Sequence, residues 1–114
     1  MLAKQFHLKG FRDYERVKNE GKLFQFPDFG LSVLDRKDNV NSRFGFIVST
    51  KISKESVQRN RIRRALSEAV RFLMSEIKNG HDVVFLTKQV SLKRSTDELM
   101  KEVRIALKEA ELIK

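Results

Sequence analysis

The chain has 114 residues, enough for one domain with a real core and too few for two of ordinary size; 40% apolar and 34% charged residues, with one proline, argue against disorder. A formal charge of +9 and a pI near 10.1 point to a polyanionic partner, nucleic acid or an anionic membrane surface. The absence of cysteine excludes disulfides and thiolate chemistry, and apolar runs such as Val83 to Leu86 are far too short to span a bilayer.

The opening MLAKQFHLKG lacks the apolar centre of a secretory signal, so a cytoplasmic protein forming one domain over residues 1–114 is expected. Phe11, Tyr14 and Val17 recur at helical spacing between Gly10 and Gly21, which predicts a short first helix with one aromatic-rich face, closed by glycine. From Lys22 to Val48 the spacing changes: KLFQF, FGLSVL and RFGFIV are rich in residues that favour strands. Two or three antiparallel strands are expected, with Pro27 between the first pair or on an edge, and the polar DRKDNVNS turning between the last two.

A polar loop, TKISKES, leads into QRNRIRRALSEAVRFL, with Ser56 a candidate N-cap and Asn79-Gly80 a candidate stop. At 100° per residue Ile62, Leu66, Ala69, Val70, Leu73 and Ile77 fall on one stripe, while Asn60, Arg64, Ser67 and Arg71 line the opposite one. DVVFLTK predicts a buried strand, and Ser95-x-x-Glu98 a capping box opening a last helix that buries Leu99, Val103, Ala106, Leu107 and Ala110. The order α-β-β-β-α-β-α defines an α+β fold.

The charge excess is concentrated. Residues 59–72 hold five arginines against one acidic residue, and between Lys51 and Arg64 six basic residues face only Glu55. A charge run is ordinarily a solvated helix face. Here, however, Arg59, Arg61, Arg63 and Arg64 sit near a helix start, whose free N–H groups and positive dipole end disfavour cations, and Lys51 and Lys54 precede them. Phosphates reverse that balance by neutralising the arginines and accepting hydrogen bonds from the helix terminus. Nothing else in the sequence suggests chemistry. His7 and His81 have no metal-ligand spacing around them, Ser49-Thr50-Lys51 lacks the glycines of a phosphate loop, and the carboxylates are mostly interleaved with basic residues as solvated helix pairs. Phe44 and Phe46 share one strand face, which favours core for at least one of them. Tyr14 is equally compatible with half-buried packing and with stacking on an unpaired base.

At RNRIRR the sequence resembles the protein subunit of bacterial ribonuclease P, whose signature is an Arg-Asn-Arg helix start followed by further basic residues. LKGFRDYERVKNEGK resembles that family's N-terminal helix, RFGFIVSTK its strand leading to a Ser-Lys-Lys-like turn, and HDVVFLTK its last strand. The resemblance implies a compact α/β sandwich with a four-stranded sheet and a left-handed β-α-β crossover. It also implies that an RNA subunit with bound Mg²⁺ hydrolyses the phosphodiester at the mature tRNA 5′ end. The protein would bind that RNA and hold the precursor's single-stranded 5′ leader, with no membrane or small-molecule substrate involved.

Carried over by position, the resemblance assigns RNA binding to Arg59, Asn60, Arg61, Arg63, Arg64 and Lys51, with Lys54 and Arg71 as adjacent cations. It turns Arg59, Asn60 and Arg63 toward the leader and Arg61 and Arg64 toward the catalytic RNA. The helical wheel matches that split only in part, since it puts Asn60 and Arg64 on one stripe. Tyr14 matches a cleft aromatic, and Phe11, Lys18 and Ser67 complete the leader-cleft candidates. The sequence departs from the family pattern in three places: Lys18 stands where many members have a second aromatic, Thr50 replaces the first lysine of the turn, and Ser67 replaces a frequent cation. Leader contact is therefore expected to lean on charge more than stacking, with Lys18 attracting phosphate and Arg71 standing in for the cation missing at 67. The alternatives are a structural RNA-binding protein of ribosomal type and, less favoured, a protein-only nuclease.

Overall fold

A computed structural model describes residues 2–114. Its elements follow the predicted order: α1 (Phe11–Glu20), β1 (Lys22–Gln25), β2 (Phe29–Asp35), β3 (Arg43–Ile47), α2 (Ser56–Leu73), β4 (His81–Thr87) and α3 (Thr96–Glu109). Three short 3-10 segments punctuate them among the described residues, at Lys4–Phe6, Met74–Glu76 and Gln89–Lys93.

The strands lie in the order β1-β2-β4-β3. β1 and β2 form the expected antiparallel pair around Pro27, with Leu23 opposite Ser32. The third strand departs from expectation: β3 does not pair with β2 but runs parallel to β4, Phe44 opposite Val83 and Phe46 opposite Phe85, while β4 is antiparallel to β2. The DRKDNVNS segment is thus a loop stepping over the inserted strand, and α2 is the crossover that a parallel pair requires.

α2 and α3 cover one face of the sheet. The whole predicted stripe of α2, from Ile62 to Leu73 and on to Ile77, is buried, as are Leu99, Val103, Ala106 and Leu107 of α3. Between them and the sheet lie Phe29, Leu31, Phe44, Val83 and Phe85, with Phe85 packed edge-on to Phe29 at 5.2 Å between ring centres. On the opposite face α1 covers only a part of the sheet, through Val17 packed with Leu8, Leu34 and Val84. α3 opens with the predicted capping box, Glu98 N–H donating to Ser95 Oγ at 3.2 Å and Ser95 N–H to Glu98 Oε1 at 3.0 Å. α2 ends at Leu73, earlier than Asn79-Gly80 suggested; Gly80 instead takes φ +85°, and its N–H bonds the Val40 carbonyl as the chain enters β4.

One buried carboxylate ties the β2–β3 loop and α1 to the sheet. Asp82, in the first half of β4, accepts hydrogen bonds from Arg43 Nε at 3.0 Å and Nη2 at 2.8 Å and a further one from Arg36. Arg36 also donates to the carbonyls of Val40 (3.0 Å) and Asn41 (2.8 Å), so the loop folds around its guanidinium. Arg43 Nη1 reaches Asp13 of α1 at 3.4 Å. The pairing with Asp82 raises the pKa of Arg43, and Arg36 lowers that of Asp38. Removing one partner of a buried pair strands the other charges. Asp82→Ala is expected to lower the unfolding free energy by about 3–5 kcal/mol in urea titrations, whereas Asp38→Ala, at an exposed carboxylate, should move the midpoint far less.

Candidate nucleic-acid interface

The arginine-rich end of α2 has little local support. Glu55, not Ser56, is the N-cap; its side chain makes no capping bond, and no acidic residue occupies the first turn. Ser53 takes part in the turn before it, its Oγ accepting from Glu55 N–H at 3.1 Å and its carbonyl from Arg59 Nη1 at 2.8 Å. Because Ile62, Ala65 and Leu66 must face the sheet and α3, the residues between them are forced outward, and Asn60, Arg63 and Arg64 are exposed.

Ten of the eleven arginines fall into two sets; Arg12 of α1, which also forms no salt bridge among the described residues, stands apart from both. Arg16, Arg36, Arg43, Arg71, Arg94 and Arg104 each have a carboxylate within 4 Å, for Arg94 the buried Asp28 at 3.0 Å. Among the described residues, Arg59, Arg61, Arg63 and Arg64 form no salt bridge. Their polar contacts are to neutral groups. Arg63 Nη1 donates to Asn60 Oδ1 at 2.9 Å, and Arg61 donates to the carbonyls of Arg94 (3.1 Å) and Leu92 (3.3 Å), fastening α2 to the segment before α3. Four guanidinium groups thus keep their full charge on one helix end.

Beside them lies a cleft of about 460 Å³, lined by Tyr14 of α1, Phe44, Gly45 and Phe46 of β3, His7, and Asn60, Arg63, Arg64 and Ser67 of α2. Its floor is the edge strand. Tyr14 rests on Gly45 so closely that a Cβ there would lie 2.6 Å from the ring carbon Cζ. Burial raises the pKa of the Tyr14 hydroxyl, an effect opposed by its hydrogen bond with the Phe46 backbone and by the charge of Arg63. The other side of the same ring lines a second hollow of about 330 Å³, with Glu15, Lys18, Leu23, Ser32, Ile47, Val84 and Leu86. Tyr14 therefore divides a trough that is cationic on one side and mostly apolar on the other.

The structure brings together Tyr14, Asn60, Arg63, Arg64 and Ser67 of the predicted residues. Lys18 lines the adjoining hollow, and Phe11, at 78% exposure, lies off the buried face of α1 rather than with Val17. Arg59 turns back to the Ser53 carbonyl and Arg61 to the α3 side, lining a separate groove of about 520 Å³ with Val57, Arg64 and Thr96. Lys51 and Lys54 are exposed on the loop before α2. Arg71 is engaged by Glu68 at 2.6 Å and lines neither side of the trough, and Ser67 is buried despite its place on the polar stripe. Sequence reasoning missed His7 and Gly45. His7 pairs with Phe44 across the edge of β3, with Nε2 3.0 Å from the Leu2 carbonyl.

A half-covered sheet carrying a cationic helix end over an aromatic-floored cleft defines a single-domain α+β protein of the nucleic-acid-binding class. Comparison with known proteins makes this specific. The Ribonuclease P family model matches residues 2–111. The ribonuclease P protein component of Clostridium kluyveri is 34% identical over 111 residues, covering 96% of this chain and 97% of its own, and that of Synechocystis sp. 29% identical over 112 residues, covering 98% and 90%. The solved RNase P protein of Staphylococcus aureus shares the fold with a TM-score of 0.89 at 24% identity, over 97% of this chain and 100% of that one. The chain belongs to the ribonuclease P protein family.

Tyr14 is the only tyrosine and tryptophan is absent, so its ionisation can be followed directly in the ultraviolet. The titration midpoint is expected above the ordinary phenol value of about 10, and stability present below that value should be lost as pH climbs through the raised midpoint. Gly45→Ala, by pushing the ring off β3, should return the midpoint toward the ordinary value; an unchanged titration would refute the contact.

Proposed function

We propose that this protein binds the RNA subunit of ribonuclease P and the single-stranded 5′ leader of precursor tRNA, and that the hydrolysis itself is carried out on RNA with Mg²⁺, in the bacterial cytoplasm. The observation that carries this reading is the set of four arginines without carboxylate partners at one helix end, beside a cleft with an aromatic floor. Unpaired surface guanidinium groups keep their positive potential for phosphate, which takes two donors at once from each. The two faces of the helix divide the work: Arg63 looks into the cleft with Tyr14 and Arg61 opens toward α3, while Asn60 and Arg64 border both hollows.

In this reading the cleft holds the leader, with Tyr14 offering a ring edge and hydroxyl to a base and Lys18 extending the charge beyond the ring. The catalytic RNA lies along the outer side of α2 and the loop carrying Lys51 and Lys54. Among the described residues no three His, Cys, Asp or Glu side chains converge. The Mg²⁺ of the reaction belongs with RNA phosphates, and the protein's part is to neutralise charge so that substrate and ions bind at lower salt cost. Relatives along the whole chain bear the ribonuclease P name, which favours this reading over a ribosomal-type protein.

Reconstitution with ribonuclease P RNA at low Mg²⁺ tests it. The protein should restore 5′ cleavage, and Arg63→Gln or Tyr14→Ala should weaken binding of leader-bearing precursor while leaving leaderless tRNA unaffected. For every phosphate that goes unneutralised in a variant, the salt dependence should flatten by about 0.7 log units per log unit of salt. Lys18→Ala should do the same, and an unchanged slope removes Lys18 from the leader's path. Cleavage that is indifferent to the protein would overturn the proposal.

A further inference from the structure

On the side of α2 away from the trough, a second groove runs between α2 and α3. Its upper part is the hollow lined by Val57, Arg61, Ala65, Glu68 and Thr96, together with Asn60 and Arg64, which it shares with the cleft. Its lower part, of about 270 Å³, has a floor of Ala69, Leu73 and Met100, a wall formed by Phe72, and Lys101 and Arg104 at the rim. Residues 57, 61, 65, 68 and 72 follow one stripe of an α-helix, so the two hollows lie in line, and Arg61 and Phe72 are about 16 Å apart along the axis.

Phe72 has no reason to be there from packing alone. It is 63% exposed on a helix whose apolar stripe is already complete without it. The guanidinium carbon of Arg71 stands 4.6 Å from its ring centre, a stack that stiffens both side chains and keeps a cation beside the ring. Arg104 reaches Glu76 at 3.7 Å, a surface pair that gives way easily to a better acceptor, and Glu68 is taken up by Arg71. A flat aromatic wall, an apolar floor and a rim of Arg71, Lys101 and Arg104 match a nucleobase with phosphates on either side.

We infer that the α2–α3 groove is a track for the catalytic RNA, and that Phe72 stacks on an unpaired base of that RNA beyond the reach of Arg61. The inference rests on the RNA-binding reading of α2 and adds to it a second anchoring point, set on stacking where the first is set on charge. Sequence readout there is slight, because every base offers a ring face.

The test measures affinity of the protein for ribonuclease P RNA, with the double variant K51Q/K54Q, on the exposed loop outside the groove, as the control for the reading itself. Phe72→Ala should bind about 5- to 150-fold more weakly, the range expected when one stack is removed. Phe72→Trp should keep most of the affinity, and chemical probing should show one or two bases losing protection in Phe72→Ala. The double variant K101Q/R104Q, which leaves the ring in place, should flatten the salt dependence. If K51Q/K54Q weakens binding while Phe72→Ala and K101Q/R104Q do not, the groove is no RNA track, although the RNA-binding reading stands. If none of them matters, that reading fails and takes the inference with it. If Phe72→Ala spares RNA affinity but abolishes self-association in sedimentation, the groove is an interface between copies, which also overturns the inference.

Discussion

β4 enters the sheet between β2 and β3 and runs parallel to the latter, so the chain must leave the end of β3 and return to its start before it can pair. A helix is the economical way to make that return, and it must lie on the sheet with its apolar side down. Burial of Ile62, Leu66, Val70 and Leu73 fixes the rotation of α2 about its axis, at roughly 1.5–3 kcal/mol for each buried side chain. Once that rotation is set, the positions of the arginines are consequences rather than choices. Arg63 and Arg64 fall beside the edge strand that forms the cleft floor, and Arg61 falls beside α3.

The same sheet order sorts the protein's charge. Placing β4 in the interior brings Asp82 opposite both Leu34 and Arg43, where Arg36 and Arg43 can reach it from the two neighbouring strands' ends. Those guanidinium groups are spent on structure: they close the β2–β3 loop and hold α1 through Asp13. A net charge of +9 therefore understates the asymmetry, because the paired arginines contribute little free potential while the α2 cluster contributes nearly all of its own. The position of α1 matters to the cleft directly, since Tyr14 follows Asp13 in sequence and its ring must reach Gly45.

Much of this is legible in the sequence because it depends on local periodicity. The buried stripe of α2, the capping box at Ser95 and the turn at Pro27 each rest on neighbours within a few residues, and each stands where the sequence puts it. Strand pairing is not legible: β3 and β4 are separated by the whole of α2, and nothing in RFGFIV distinguishes a partner next in sequence from one a helix away. Ser56 looks like a cap in the sequence, but Ser53 sits one turn earlier and takes the bond with the Glu55 N–H. Ser67 is on the polar stripe yet buried, at the wall of the cleft that α2 shares with Tyr14 of α1 and with β3. Gly45 carries no signal of its own; its meaning comes only from the tyrosine that occupies the space where its side chain would be. Charge and resemblance single out candidate residues, whereas their grouping into trough and groove requires the fold.

The unsupported start of α2 raises a question of balance. Of the four arginines only Arg59 lies within the first turn, and the dipole penalty falls off beyond that turn, so the isolated protein carries a cost of about 0.3–1 kcal/mol there. The carbonyl of Ser53 offsets part of it by taking one Arg59 N–H. Against this stands, in the proposed complex with RNA, the release of counterions. At about 0.7 log units per phosphate, a tenfold fall in salt strengthens each contact by roughly 1 kcal/mol. Three or four contacts then outweigh the helix penalty several times over. A capping side chain at residue 55 would relieve the free protein by accepting from a helix-end N–H that Glu55 leaves open, but it would also occupy a donor that a phosphate could take. The missing cap is thus the arrangement that favours the bound state over the free one, at a cost the buried stripe of the same helix can absorb.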